Sequence, residues 1–339
     1  MISRSLRVGI VGATGAVGRT ILDELVQRNF PVGELRLFAS SRREPRSLTF
    51  GGVAIPVEPL TDERIEGLDL VLASVPASVS REWGPRIATG GALYVDNSSA
   101  WRMDPNTLLA VPEVHGARLT GLRGVIVANP NCVAIPITVA LAPLARHARP
   151  VRLVISTYQS SSGRGASGLS QLQAEQAAKA SGKPFPSPTA HRGQLYESIV
   201  TDDWTLESDG QSEEERKIGE ETRKILDLPN LAIVTTAVRV PVPVGHGASV
   251  VAEFASPITV AQANACWSDA PGVVLRQDRA PKPEDVLGRP EVHVGRVRAD
   301  TSKPGGLAFW VVADNLRKGA ATNAVQIAEL AFSDDQRCK

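Results

Sequence analysis

The start of the chain constrains its fold most, because an apolar run, three spaced glycines and an amphipathic segment follow one another. Residues 7–11 are predicted to form a buried strand, Gly12, Gly15 and Gly18 a turn, and residues from about 19 to 28 a helix. Glycines in such a turn let backbone amides approach a pyrophosphate at the helix N-terminus. This context favours a dinucleotide-binding turn, and a glycine turn that binds nothing is the alternative.

Alternating strands and helices continue through the first part of the chain. Apolar runs at 68–75, 93–96 and 125–128 read as strands, and 78–89 reads as a helix. This alternation predicts an α/β fold of Rossmann type with a doubly wound parallel sheet.

The pattern changes after Pro150, where β-rich segments predict a second, antiparallel α+β domain with a sheet long enough to support a dimer contact. Its strands are predicted at 151–158, 231–240, 250–254, 292–298 and 307–313, and its helices at 166–180 and 213–226. A chain of 339 residues is long enough for two cores. We expect a nucleotide-binding domain over 1–130, completed by a C-terminal helix in 315–339, and a second domain over 131–314.

Composition excludes several classes of protein. The net charge of +1 gives no basic field for nucleic acid, and no apolar run approaches the roughly 20 residues that span a membrane. The first strand follows Met1 too closely for a signal peptide. Three scattered cysteines fit neither a disulfide framework nor a zinc site. These features predict a cytoplasmic protein without a structural metal.

The end of the second predicted strand, residues 35–39, indicates which dinucleotide is preferred. It runs into Ser40, Ser41, Arg42 and Arg43, with no acidic residue before Glu44. An acidic residue there usually accepts from the ribose 2′-hydroxyl of NAD, whereas an arginine accommodates a 2′-phosphate. The segment favours NADP, and a solvated turn is the alternative for the two arginines.

A cysteine follows the strand at 125–128, in the sequence Asn129-Pro130-Asn131-Cys132, and a helix is predicted from Val133. The N–H groups at a helix N-terminus stabilise a thiolate and can hold an oxyanion. Cys132 is therefore a candidate nucleophile, and a small buried apolar residue is the alternative. Residues 96–102, ending in Arg102, follow another strand of the same sheet, so we expect Arg102 and Cys132 near the cofactor.

His246 is the histidine with a candidate chemical role. It stands between Gly245 and Gly247 after a Pro-Val-Pro stretch, which predicts an exposed turn. An imidazole with a pKa near 6.5 can take up a thiol proton, although a lone loop histidine is usually a surface residue. The acidic stretch 202–211 is predicted to be a surface connection.

Six motifs, in order and at characteristic spacing over nearly the whole chain, resemble the aspartate-β-semialdehyde dehydrogenase family. They are Gly-Ala-Thr-Gly-Ala-Val-Gly (12–18), Asp-Asn-Ser-Ser-Ala-Trp-Arg (96–102), Asn-Pro-Asn-Cys (129–132), Ser-Thr-Tyr-Gln (156–159), Arg-Val-Pro-Val (239–242) with His246, and Asp-Asn-Leu-Arg-Lys-Gly-Ala-Ala (314–321).

The resemblance implies reduction of aspartyl-4-phosphate by NADPH to aspartate semialdehyde, with release of phosphate, on the route to lysine, methionine and threonine. In this resemblance Cys132 is the nucleophile, His246 the acid/base residue, and Gln159 orients the intermediate. Arg102 corresponds to the phosphate-binding arginine and Arg239 to the arginine that binds the substrate carboxylate.

The remaining site residues also come from the resemblance. It further implies a homodimer, with catalysis and dimerisation in the second α+β domain, residues 131–314. Lys217 and Glu214 correspond to substrate-binding residues, and a solvated helix with intrahelical ion pairs is the alternative for Glu214. Asn131 belongs to the substrate site with them. The nucleotide-contacting positions are Gly12, Thr14, Gly15, Ala16, Val17, Ser41, Arg42, Ser162, Gly163 and Asn315.

Three departures from the family pattern stand out: Gly247-Ala248 in place of Ser-Glu, Arg164 in place of a small residue, and residues 190–204 without Asn-Val-Ile-Pro. They leave two other functions open. One is an N-acetyl-γ-glutamyl-phosphate reductase, although that family has glycine where Asn131 stands. The other is a nucleotide-binding paralogue without catalysis.

Overall fold

The computed structural model of the chain describes residues 2, 4–40 and 46–333. By its internal contacts the chain divides into one unit of Met1–Pro130 with Ala320–Lys339 and a second unit of Asn131–Gly319. The sequence predicts domain boundaries after residues 130 and 314, and the two units divide after residues 130 and 319.

The elements alternate in the first part of the chain and become richer in strands in the second. Up to residue 130 they are β1 (Leu6–Val11), α1 (Ala16–Gln27), β2 (Val32–Phe38), β3 (Ser47–Phe50), β4 (Val53–Glu58), α2 (Asp62–Ile65), β5 (Leu70–Ala73), α3 (Ala77–Thr89), β6 (Leu93–Asp96), β7 (Leu108–Leu109), α4 (Pro112–Leu119) and β8 (Ile126–Ala128). Beyond it they are α5 (Ala134–His147), β9 (Pro150–Gln159), α6 (Gly165–Ala180), α7 (Glu213–Leu226), β10 (Ala232–Arg239), β11 (His246–Phe254), α8 (Val260–Ser268), β12 (Val273–Arg276), β13 (Val292–Ala299), β14 (Leu307–Ala313) and α9 (Thr322–Phe332).

The first unit contains a sheet in the order β3-β4-β2-β1-β5-β6-β8-β7. All neighbouring strands are parallel except β3 and β4, which form a hairpin. The predicted doubly wound parallel sheet is confirmed, because the strand order runs outward from β1 in both directions. The carboxyl ends of β1, β6 and β8 therefore lie along one edge.

Helix α9 belongs to the core of this unit although it lies at the far end of the sequence. Its apolar side chains, among them Val325 and Ile327, join one buried cluster with Ile10 of β1 and Leu25 of α1. Burial of such side chains stabilises the unit by about 1.5–3 kcal/mol each. Glu329 adds a two-point ion pair to Arg28, with distances of 2.8 and 2.7 Å.

The second unit has a six-stranded sheet in the order β10-β9-β11-β14-β13-β12. The strands β9, β11, β14 and β13 are antiparallel, but β10 pairs parallel to β9 and β12 pairs parallel to β13. The predicted antiparallel arrangement is confirmed for the four central strands and is wrong for the two edge strands, β10 and β12, which lie parallel to their neighbours.

In the part of the chain that the structure describes, no helix has the length and apolar character to cross a membrane. Those residues also contain no group of three or more His, Cys, Asp or Glu side chains arranged for a metal ion.

Candidate active site

The glycine turn of the first unit is shaped by two close backbone approaches. Gly12 has φ +85°, and an ideal Cβ there would lie 2.1 Å from the carbonyl oxygen of Ser74. A Cβ on Gly18 would lie 2.3 Å from the carbonyl oxygen of Gly12. Because neither position tolerates a side chain, the turn brings bare backbone to the start of α1, as a pyrophosphate site requires.

The predicted nucleotide-contacting residues of this unit surround that turn. Gly15 is the N-cap residue of α1, and Ala16 and Val17 are the first helical residues. Thr14 lies in the turn, and its carbonyl oxygen accepts from the Arg19 Nε atom at 3.2 Å. Ser41 and Arg42 lie outside the described residues.

Arg102 lies beside the ends of β6 and β8, as the strand-end argument predicts. Its Nε donates to the carbonyl oxygen of Asn129 at 3.0 Å and its Nη2 to that of Asn97 at 2.8 Å. These bonds tie the two strand-end loops together and fix the guanidinium against them.

Cys132 opens the second unit, in the turn before α5. The Oδ1 atom of Asn131 accepts from the N–H groups of Val133 (2.8 Å) and Ala134 (3.4 Å), which holds this turn in shape. The thiol is partly exposed, so a fully buried apolar cysteine is the wrong interpretation. Since α5 begins two residues later, its dipole favours the thiolate over the thiol.

A buried carboxylate joins Asn131 to Gln159. The Oε1 atom of Glu214 accepts from Asn131 Nδ2 and from Gln159 Nε2, each at 3.0 Å. Glu214 is only 6% exposed, so a solvated helix face is wrong for this residue. Lys217, in contrast, fits a helix position with an intrahelical ion pair, because its ammonium pairs with Glu213 one turn away at 3.2 Å.

Arg239 is buried at the end of β10 with its guanidinium held on several sides. Its Nε donates to Asp203 Oδ2 at 2.9 Å, its Nη1 donates to the carbonyl oxygen of Ser160 at 2.8 Å, and the group lies 4.6 Å above the Trp204 ring. Burial lowers the pKa of Arg239, while the charges of Asp203, Glu214 and Cys132 act in the opposite direction. Arg239 therefore lies in the electrostatic reach of both Cys132 and Glu214.

His246 is buried and begins strand β11, so the expectation of an exposed turn is wrong. Three residues after the Pro-Val-Pro stretch, His246 pairs with Ala313 of β14, and its side chain is only 2% exposed. The Ser160 backbone N–H donates to Nδ1 at 3.0 Å, so the proton of the neutral ring sits on Nε2. Burial, and secondly the charge of Arg239, holds the pKa of His246 well below its usual value.

Ser162 and Asn315 connect to His246 through Ser160, whose hydroxyl bonds Ser162 Oγ at 3.1 Å and Asn315 Oδ1 at 3.0 Å, and Gly163 lies beside the ring. Asn315 Oδ1 accepts from the Gly245 N–H at 2.8 Å and from Ser162 Oγ at 3.1 Å. A Cβ on Gly163 would lie 2.4 Å from Arg239 Nη1 and 3.3 Å from His246 Nε2. The bare backbone of Gly163 therefore leaves room beside both nitrogen atoms, and Nε2 has no hydrogen-bond partner among the described residues.

Comparison with known proteins identifies the family to which the chain belongs. Residues 7–122 match the family model of the semialdehyde dehydrogenase NAD binding domain, and residues 141–318 match that of the dimerisation domain. An aspartate-semialdehyde dehydrogenase of Aquifex aeolicus is 44% identical over 97% of this chain and 98% of its own length. The chain belongs to the aspartate-semialdehyde dehydrogenase family.

Solved structures of that family have the same fold. Aspartate semialdehyde dehydrogenase II of Vibrio cholerae superposes with a TM-score of 0.94 at 38% identity, covering 98% of this chain and 100% of that one. A second structure of the Vibrio enzyme, described as complexed with ASA, matches equally well at 37% identity over the same coverage.

Two departures from the family pattern now have physical explanations. A Cβ on Gly247 would lie 2.5 Å from the Trp310 ring, so the indole occupies the space of the side chain that the family usually has there. Arg164 donates through Nε to Asp203 Oδ2 at 3.2 Å, so the added cation has a buried partner.

Sequence reasoning missed Asp203, which bonds Arg239 and lies in the acidic stretch predicted to be a surface connection. Asp203 and Trp204 are 0% and 6% exposed, so that prediction is wrong at its beginning. The signal that could have marked them as buried is Trp204, since a large aromatic residue directly beside an acid is unusual in a solvated loop.

Proposed function

We propose that the chain catalyses NADPH-dependent reductive dephosphorylation of L-aspartyl-4-phosphate to L-aspartate-4-semialdehyde, through a thioester on Cys132. The observation that carries this proposal is the Glu214 carboxylate held between Asn131 and Gln159, with Arg239 in its electrostatic reach. A buried carboxylate and a buried guanidinium beside a nucleophile suit a substrate that carries both an ammonium and a carboxylate group.

Cys132 supplies the nucleophile. Its sulfur attacks the acyl carbon, the C–S bond forms, the C–O bond to phosphorus breaks, and inorganic phosphate leaves. The glycine turn at Gly12 and Gly15 would hold NADPH, which would supply the hydride needed to reduce this thioester. The C–S bond of the resulting thiohemiacetal then breaks, which releases the aldehyde and restores the thiolate.

His246 enters this sequence as a donor. Its Nδ1 accepts the Ser160 N–H, so Nε2–H is the group available to a reacting oxygen. A hydrogen bond from Nε2 stabilises the oxyanion that forms at the acyl carbon in both tetrahedral stages. This assignment replaces the hypothesis that His246 first takes the proton from the thiol, because the neutral ring already carries its proton on the nitrogen that is not bound to Ser160.

Arg239 receives the substrate carboxylate in this proposal, and Glu214 the ammonium. Gln159, bonded to Glu214, orients the acyl group beside Cys132. Arg102 is proposed to bind the phosphate, and Lys217 is proposed as a further substrate-binding residue. Lys217 is the weakest member of the set, because Glu213 already pairs with its ammonium.

NADP is the proposed cofactor, and Arg42 the residue proposed to select it. The match to the NAD binding domain and the geometry of Gly12 support a dinucleotide site, while the basic sequence Ser-Ser-Arg-Arg at 40–43 supports a 2′-phosphate. An Arg42→Glu variant should lower the ratio of kcat/KM with NADP to kcat/KM with NAD by about tenfold or more. An unchanged ratio would contradict this choice.

A homodimer is the proposed assembly. The dimerisation-domain match covers the second sheet, where side chains of β9 and β10 such as Tyr158 and Val234 are exposed on one face. A cytoplasmic location is also proposed, because a working Cys132 thiol requires a reducing compartment.

The decisive experiment follows NADP reduction by the purified protein with aspartate semialdehyde and phosphate. Phosphate-dependent turnover is the expected result, and N-acetylglutamate semialdehyde should be at least about a hundredfold poorer, since a buried carboxylate is left without its ammonium. Preference for the acetylated aldehyde would indicate the N-acetyl-γ-glutamyl-phosphate reductase reaction. NADP binding without turnover of either aldehyde would indicate a paralogue without catalysis.

A further inference from the structure

Asp203 is a buried carboxylate that accepts hydrogen bonds from four different residues. Its Oδ2 atom accepts from Arg239 Nε at 2.9 Å, from His191 Nδ1 at 3.1 Å and from Arg164 Nε at 3.2 Å. Its Oδ1 atom accepts from the backbone N–H of Arg192 at 3.1 Å. Although burial raises the pKa of Asp203, the His191 hydrogen bond and the charge of Arg239 lower it overall, so the group stays ionised.

His191 is itself fixed in place, which makes Asp203 a rigid support. The ring reaches Ser161 Oγ through Nε2 at 2.9 Å, and that hydroxyl donates to the carbonyl oxygen of Gly168 at 2.6 Å. The carboxylate is thus held by the start of α6 on one side and by Arg192 on the other. Its position is set before any substrate binds.

This support decides which edge of the Arg239 guanidinium is available. The Nε–H is committed to Asp203 and one Nη1–H to the carbonyl oxygen of Ser160. Among the residues that the structure describes, Nη2 donates no hydrogen bond. The ring of Trp204 covers one face of the group. A ligand carboxylate can therefore pair with the Nη1–Nη2 edge but not with the Nε–Nη2 edge.

We propose that Asp203 is a positioning residue that turns the Nη1–Nη2 edge of Arg239 toward the α-carboxylate of the substrate. The inference rests on the proposed function, which assigns that carboxylate to Arg239. It also explains two departures from the family pattern, because Arg164 and the segment with His191 supply the partners that hold Asp203. An arginine held by its own buried carboxylate loses little conformational freedom when it binds the ligand.

An Asp203→Asn variant tests this role, with Asp202→Asn as the matched control on an exposed neighbour. The amide keeps the size of the side chain but removes the charge that orients the guanidinium. The KM for aspartate semialdehyde should rise about tenfold or more while kcat stays within about threefold, because uniform substrate binding is lost. The KM values for phosphate and NADP should not change, and the control should match the parent protein.

A second substrate separates positioning from a general structural effect. 3-Aminopropanal is aspartate semialdehyde without the α-carboxylate, so Asp203→Asn should leave its kcat/KM within about twofold. A merely structural role would lower kcat/KM for both aldehydes together and leave their ratio unchanged.

The outcomes distinguish this inference from the proposed function. If the parent protein shows no phosphate-dependent turnover of aspartate semialdehyde, the proposed function fails and this inference fails with it. If the parent protein is active and Asp203→Asn has a parental KM, only the role of Asp203 is overturned.

If the Asp203→Asn variant does not fold, an Asp203→Glu variant provides a second test, because it keeps the negative charge and displaces it by one methylene. It should raise the same KM about fivefold, and a KM within twofold of the parent value would overturn the inference.

Discussion

Gly319 lies directly against Cys132. An ideal Cβ on Gly319 would come within 3.1 Å of both the Cβ and the carbonyl oxygen of Cys132 and within 3.3 Å of its Cα. Gly319 itself is tied to the chain before it by a hydrogen bond from its N–H to the carbonyl oxygen of Asp314 at 3.0 Å. The glycine of the Asp-Asn-Leu-Arg-Lys-Gly motif therefore leaves room for the backbone and Cβ of Cys132, which a larger residue would displace.

A Gly319→Ala variant should therefore lower kcat while the protein still folds. The added methyl group meets backbone atoms of residue 132 that cannot rotate away, so the sulfur shifts by a few tenths of an ångström. We expect a loss on the order of tenfold in kcat, since small displacements of a reacting group are costly. Gly116→Ala in α4 is the control, because its Cβ would have no atom closer than 3.9 Å. Equal activity of the two variants would contradict the argument.

Removal of the thiol itself should stop catalysis without stopping nucleotide binding. Cys132→Ser replaces the sulfur with an oxygen that is not ionised at neutral pH, so phosphate-dependent turnover should fall at least about a thousandfold. NADP affinity, measured by fluorescence or calorimetry, should be unchanged. Cys266→Ser in α8 provides the matched control, because that thiol is also partly exposed. Substantial turnover by Cys132→Ser would rule out a thioester.

Where local chemistry decides the structure, the sequence predicted it closely. Helix α7 begins and ends at the predicted residues. Ser212 and Glu215 form a reciprocal cap at its start, and Asp227, in the left-handed conformation, follows its last residue. The hairpin of β3 and β4 escaped prediction, since its strands are short and partly exposed. The two glycines between them, Gly51 and Gly52, are the one local signal of the turn, and both have positive φ.

Where distant segments decide the structure, sequence reasoning failed. Gly245 and the preceding prolines are typical of an exposed turn, yet pairing with β14 buries His246. Asp203 lies in a polar stretch, and only its contact with Arg239, 36 residues later, makes it a buried group. The roles given to Gln159 and Glu214 came from the family resemblance, because neither spacing nor composition brings them together.

Restoring the side chain usual in the family at position 247 should destabilise this protein. A Gly247→Ser variant places Cβ 2.5 Å from the Trp310 ring, and the indole is fixed by a hydrogen bond from its Nε1 to the carbonyl oxygen of Pro281 at 3.0 Å. The overlap should cost about 1–3 kcal/mol in the free energy of unfolding, as overpacking typically does. In a Trp310→Ala background the same substitution should cost little. An equal cost in both backgrounds would show that the two residues are not coupled.

A charge on the exposed face of the second sheet should dissociate the proposed dimer. Register places Val234 beside Val154 and Val238 beside Tyr158, with the alternate residues of β9 turned inward. Val234→Asp would bury a carboxylate in an apolar interface, so sedimentation should show monomers at concentrations where the parent protein is dimeric. Val53→Asp is the control, since Val53 is similarly exposed but lies in the first unit. Dissociation by both variants, or by neither, would reject this face.

The buried His246 should make stability depend on pH. Its pKa is well below the ordinary 6.5 in the folded protein, so the unfolded chain binds a proton at a higher pH than the folded one does. The stabilising contribution is complete above about pH 6.5 and is lost as the pH falls, with a slope of up to about 1.4 kcal/mol per pH unit. His246→Asn should remove that part of the slope in denaturant titrations between pH 7.5 and 5.5. His147→Asn, at the exposed end of α5, should retain that part of the slope. An unchanged slope in His246→Asn would mean that His246 is already a charged imidazolium in the folded parent protein.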